Sequence, residues 1–283
     1  MKEHRECRTH NMGLCVSGHE VRTEKAFHLL PLFRAFTLLI QKPTNAKPHS
    51  LTAIFRMTLK EISYNQVQQD VLKYFNDIGV EVDTAILMSD NEFDDIYQLS
   101  KSAAIKGMEI FSDRGIETHE KANRHTDIEE FFVIGFYEDI DPKGQLLSFR
   151  DFIGEGFDIE NDKLQLITYY PELKTQGSSI QDGFVYALLM PPHGLRVDTT
   201  GELGSHDRKY SESKALTKVL KDYLKNFLGL NSLHDTSHLI IYKWSDDWSN
   251  YFTSGKEWWG AFFWTIFDNN KKTVTVIGAS TTD

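Results

Sequence analysis

Between Pro191 and Tyr210 the chain gathers His193, Arg196, Asp198, His206, Asp207 and Arg208. These are the side chains from which a general base, an orienting carboxylate and an anion holder are drawn. Gly194, Gly201 and Gly204 loosen the same stretch, the longest polar connection after residue 56. Long polar loops in compact domains are usually functional or loosely ordered. The chemistry lacks a nucleophile, however. No Gly-x-Ser-x-Gly elbow occurs, and no cysteine lies beyond Cys15. A hydrolase or small-molecule-binding enzyme built on His193, Arg196, Asp198, His206 and Asp207 is therefore the second functional reading, behind a binding one.

Metal chemistry has one candidate, Cys7-x2-His10-x4-Cys15-x3-His19. Two thiolates and two imidazoles suffice for a tetrahedral zinc site. The ligand order is unusual and only Gly13 and Gly18 supply turns, so a leader that happens to contain Cys and His is preferred. Between Ser112 and Glu130, His119 and His125 stand among carboxylates, but the spacing fits no regular helical face and reads as a solvated loop. Asp158-x-Glu160-x-Asp162 opens like a calcium loop, yet Lys163 replaces the turn glycine and Tyr169 the closing glutamate. No cofactor is expected.

All five tryptophans fall between Trp244 and Trp264. Such clusters at strand spacing are mostly core, because aromatic rings dominate packing between a sheet and its helices. The sharper expectation concerns Trp244, Trp248 and Trp258, which adjoin Asp246, Asp247 and Glu257. Exposed rings rimmed by carboxylates have the make-up of a protein-binding hot spot. The same aromatic face is also suited to sealing a homodimer.

Charge supports a protein partner rather than a nucleic acid. The formal net charge is −10, but residues 1–56 carry nine Lys/Arg against four Asp/Glu, leaving 22 against 37 for residues 57–283. An acidic body repels phosphate backbones and suits a basic protein. Both cysteines lie in the basic leader, and a body without disulfides favours a reducing, cytoplasmic setting. No apolar stretch reaches transmembrane length, so no membrane is expected. The change in charge, cysteine use and pattern divides the chain into a basic extension, 1–56, poorly ordered or foreign to the domain, and an acidic domain, 57–283.

The elements that position these residues are an amphipathic helix from Met57 through Leu59, Ile62, Val67, Val71, Phe75 and Ile78, closed by Gly79, and a weak strand from Val80 to Met88. A second helix is capped by Asp90-Asn91-Glu92 and runs to about Phe111. Strands are read at Phe131–Tyr137, Leu164–Tyr170 and Phe184–Met190. A third helix spans Ser211 to Leu228 with Gly229 at its end, and a strand covers His238–Trp244. The close is a hairpin, Trp258–Phe267 and Thr273–Ile277, joined by Asp268-Asn269-Asn270-Lys271-Lys272. Alternation sends Trp259, Ala261, Phe263 and Phe267 to one face, and Trp258, Phe262, Trp264 and Ile266 to the other. The class is α+β: a mainly antiparallel sheet under about three helices, ending in an aromatic β-hairpin.

Overall fold

The computed structural model describes residues 58–89, 94–121, 134–165, 182–192, 194–196, 205–257 and 259–281; at 119–121 and 205–213 it describes the helical backbone alone. These residues belong to one compact unit, Ile54–Asp283. The first elements are β1 (Leu59–Glu61), α1 (Gln66–Ile78), β2 (Asp83–Ser89), α2 (Ile96–Lys121), β3 (Gly144–Leu147) and α3 (Phe149–Ile153). They are followed by β4 (Phe157–Asp158), β5 (Lys163–Leu164), α4 (Phe184–Leu189) and α5 (Ser205–Phe227). The chain closes with β6 (Leu239–Trp244), β7 (Ala261–Asp268) and β8 (Thr273–Ser280).

One six-stranded antiparallel sheet, in the order β1-β2-β8-β7-β6-β3, forms the middle layer, and β4 and β5 make a separate small hairpin. The class is thus α+β. The aromatic hairpin sits at the centre of the sheet, with β7 and β8 in register from Asp268↔Thr273 to Ala261↔Ser280. Its turn is tied by Asp268, whose Oδ1 accepts the backbone N–H groups of Asn270 (2.9 Å) and Lys271 (3.0 Å).

Both faces of β7 are covered, which is why its sequence is apolar throughout. Phe262, Trp264 and Ile266 pack into a core built with α1, α3, α4 and α5. Phe263 and Phe267 pack into a second core under α2, against Leu99, Ala103, Met108 and Phe111. Each large side chain buried in this way stabilises the fold by roughly 1.5–3 kcal/mol. Period-two alternation therefore places Phe262 through Phe267 as expected. It fails at Trp259, which joins the Phe262 side. Gly260, at φ +128°, breaks the extended run before β7 begins, and the Trp259 indole N–H then reaches the carbonyl of Met190 at 2.6 Å.

Several expectations change. Leu59 starts strand β1, not a helix. The helix begins at Gln66, where Asn65 and Gln68 form a reciprocal capping box. Val67 is consequently exposed, while Phe75 and Ile78 hold the core stripe. Gly79 closes the helix in the left-handed conformation, as its placement implies. The second helix runs on to Lys121, so the first half of the expected Ser112–Glu130 loop is helical. Its cap Asp90-Asn91-Glu92 lies outside the described residues, and Asp95 Oδ1 accepts the N–H of Gln98 instead.

Phe184–Leu189 is helix α4, not a strand. All six side chains are buried, so an unbroken apolar run carries no period by which helix and strand differ. Of Leu164–Tyr170 only Leu164 pairs among the described residues, opposite Phe157 in the short β4–β5 hairpin. Of Phe131–Tyr137, the described part forms a single bridge, Phe136↔Ser249. The helices number five among the described residues rather than three.

Candidate functional site

Two of the three tryptophans expected at a surface are buried. Trp244 and Trp248 are 3% and 1% exposed. Trp244 Nε1 donates to Thr265 Oγ1 at 2.9 Å, and Trp248 Nε1 donates to the Ser245 carbonyl at 2.6 Å. An indole can be buried whole once its single N–H finds an acceptor, and both have done so. Trp258 lies outside the described residues. Asp246 is half-buried and paired with Lys256 at 3.3 Å, while Asp247 and Glu257 are exposed.

What reaches the surface is the layer above these rings. Phe136 lies parallel to Trp248, with centroids 5.8 Å apart and planes inclined by 20°. Phe136 is itself 42% exposed, and Tyr137, Ile140 and Leu146 are exposed likewise. Residues 135–147 run antiparallel to residues 241–250. Tyr137 N–H bonds the Trp248 carbonyl (3.0 Å), Ser245 N–H the Lys143 carbonyl (2.8 Å), and β3 pairs β6 from Gly144↔Trp244 to Leu147↔Ile241. The apolar side chains thus lie along one edge of the sheet. Carboxylates crowd that edge. Asp141 pairs with Lys101, but Glu138, Asp139 and Asp247 make no ion pair among the described residues. Sequence reasoning missed Phe136 because an aromatic run reads as a buried strand. The signal available was the acidic Glu138-x-x-Asp141 directly after it.

Most side chains of the expected catalytic loop lie outside the described residues. His193 and Asp198 lie outside the described residues. His206, Asp207 and Arg208 fall in the first turns of α5, where only backbone is described, so the expected loop ends at Ser205. Arg196 uses its backbone N–H to bond the Ile78 carbonyl at 2.8 Å, beyond the end of α1. The Cys7, His10, Cys15 and His19 set lies outside the described residues, and among the described residues no cluster suits a metal ion.

The titratable groups that are most perturbed form a clasp between layers. Tyr223 Oη and Thr84 Oγ1 are 2.7 Å apart, and burial drives the Tyr223 hydroxyl far above its ordinary range. Tyr251 Oη donates to Asp83 Oδ2 at 2.9 Å. Burial, and then the adjacent carboxylate, raise the Tyr251 hydroxyl well above its ordinary value. Arg114 of α2 reaches Glu61 of β1 and donates to the Thr84 carbonyl at 2.6 Å. Both tyrosines stay protonated at neutral pH and offer no base, so the cluster ties α2, β1, β2 and α5 together. Two open grooves, about 490 and 460 Å³, flank the C-terminal end of α5. One is floored by Ile159, Leu224 and Leu230, the other by Ile62, Phe227 and Ile266.

No protein-family model, curated protein or solved structure matches the chain. Among the described residues no helix is long and apolar enough to cross a membrane.

Proposed function

We propose that this chain is a non-enzymatic, cytoplasmic binding protein of inhibitor or immunity-like character, which captures a basic protein along its β3 edge. The observation that carries the reading is the exposure of Phe136, Tyr137, Ile140 and Leu146 beside the carboxylates of Glu138, Asp139 and Asp247, which make no ion pair among the described residues. Apolar anchors within a charged rim are the make-up of a recognition surface, with the anchors supplying affinity and the rim supplying steering and selectivity. The net excess of acid over residues 57–283 extends the same field over the body and disfavours nucleic acid. Relative to the sequence expectation, the anchoring role passes from Trp244 and Trp248 to Phe136, which stacks on Trp248, and to its exposed neighbours.

The test is capture from the source cells by the full chain, in wild-type form and as Phe136→Ser and Glu138→Lys/Asp139→Lys. Chemical cross-linking follows, and then rebinding of the purified captured protein. The expected result is one stoichiometric basic protein, cross-linked within residues 136–146, bound more weakly as salt rises and lost in both variants. Equal capture by all three forms, or a captured protein that is not basic, sinks the reading. A chain that runs as a dimer until Phe136 is replaced replaces it with self-association.

A further inference from the structure

The register of β3 fixes which of its backbone groups are free. Lys143 faces β6, because its carbonyl accepts Ser245 N–H (2.8 Å) and its N–H bonds Ser245 Oγ (3.2 Å). In an antiparallel ladder, backbone groups point alternately toward and away from the neighbouring strand. Gln145 and Leu147 therefore also face β6, and Gly144 and Leu146 face away. The Gly144 N–H already turns from β6, toward the Tyr97 hydroxyl at 3.4 Å. Among the described residues β3 has one strand neighbour, β6, so the N–H and carbonyl of Leu146 point out of the sheet.

Natural sheets blunt such edges with shortness, charge or cover, since an open edge templates further pairing. Here the edge is short, but its outward-facing position carries a 62% exposed leucine, Gln145 beside it is uncharged, and the one lysine, Lys143, stands just before the strand with its backbone turned to β6. The acidic charge lies before the strand, in Glu138 and Asp139, which make no ion pair among the described residues, and in Asp141, which pairs with Lys101. An edge that is apolar at its centre and acidic at its end is selective for a basic strand.

We propose that β3 is a docking edge at which an extended basic segment of the partner adds to the sheet as a seventh strand. The inference rests on the basic-partner reading above. One residue of the segment exchanges both backbone hydrogen bonds with Leu146 and lays an apolar side chain beside it, on the face of Tyr242 and Tyr97. Lys or Arg residues continue past Gly144 and Lys143 toward Glu138 and Asp139. Backbone bonds fix the segment's direction and register, while side chains and charge set which segment is taken.

The probe is a capped synthetic nonapeptide, Lys-Val-Lys-Val-Leu-Val-Lys-Val-Lys, titrated against the full chain, with Glu replacing every Lys in the control. Three protein forms are compared: wild type, Leu146→Ala and Leu146→Pro. Proline deletes the outward N–H without taking a bond from the β3–β6 ladder, so the fold should survive and melting should show it. The expected loss is about tenfold or more for Leu146→Pro and about threefold for Leu146→Ala, the difference being the missing hydrogen bond. Should Leu146→Pro unfold, the lysine peptide N-methylated at its Leu and the two nearest Lys takes its place on wild-type protein, with the same loss expected. Equal affinities for Leu146→Pro and Leu146→Ala, or for methylated and plain peptide, overturn strand addition and leave the basic-partner reading standing. Failure of the lysine peptide to outbind the glutamate peptide overturns both.

Discussion

The ring of Phe136 lies flat on that of Trp248, 5.8 Å away, and the two differ entirely in exposure, 42% against 1%. Stacking across the surface makes the buried tryptophan a platform and the phenylalanine its exposed face. Trp248 also touches Phe252 and Phe263 edge-on, which anchors the platform to β7. The pair separates stability from the proposed binding. Trp248→Ala should cost about 3–5 kcal/mol in urea unfolding, as expected for a large core truncation. Phe136→Ala should cost about 1 kcal/mol, since its ring is only partly removed from water. Comparable losses for the two would mean that Phe136 belongs to the core.

The hydrogen bond from Trp244 to Thr265 is open to a double-mutant cycle. Thr265 is fully buried, so Trp244→Phe leaves its hydroxyl stranded in addition to removing part of a ring. The expected cost is about 2 kcal/mol or more. Thr265→Val on that background should restore part of the loss, because both polar groups are then gone. A second substitution that merely adds its own cost would show that the bond carries no coupling.

Acid should loosen the central hairpin turn through Asp268. Burial opposes ionisation of its carboxyl, but the N–H groups of Lys271 and Asn270 and the Lys271 ammonium, with Nζ 3.1 Å from Oδ2, outweigh it and hold the group below the ordinary carboxylate value. A depressed value in the fold means that the native state favours the charged form. The resulting stabilisation is present above the unfolded value of about 3.9 and is lost as pH falls through the folded value beneath it. Asp268→Asn should therefore lower stability at neutral pH and flatten the decline below about pH 4. Unfolding midpoints measured from pH 7 to pH 2, with parallel curves for the two proteins, would exclude the assignment.

The start of α1 depends on a local device. Asn65 Oδ1 accepts Gln68 N–H at 3.0 Å, and Gln68 Oε1 accepts Asn65 N–H at 2.9 Å. Asn65→Ala should cost about 1 kcal/mol, and Asn65→Ser or Asn65→Asp much less. Thermal melts of the three variants resolve this ordering; equal melts for Ala and Ser would show that the helix is held by packing alone.

The sequence by itself determined the features that rest on local periodicity. Alternation along Phe262–Phe267, with turn formers at Asp268–Lys272, specifies a strand apolar on both faces and its hairpin; that both faces are covered was decided by the helices packed on them. The stripe Leu216, Val219, Leu220, Tyr223, Leu224 and Phe227 specifies the core face of α5, and Gly79 and Gly229 mark helix ends because a left-handed residue costs glycine least. Tertiary structure decided the rest, for reasons that no local pattern contains. Phe184–Leu189 is apolar at every position, so its helical form follows from the space between α3 and α5. Leu59 fits a helical stripe and a strand equally well, and pairing with Ser89 of β2 selects the strand. Trp244 and Trp248 stand beside aspartates in sequence, yet Thr265 and the Ser245 carbonyl accept their N–H groups and allow both rings to be buried. Exposure depends on how many neighbours the fold brings to a side chain, and those neighbours lie far along the chain. Phe136 reaches the surface because Trp248, 112 residues on, occupies the space beneath it.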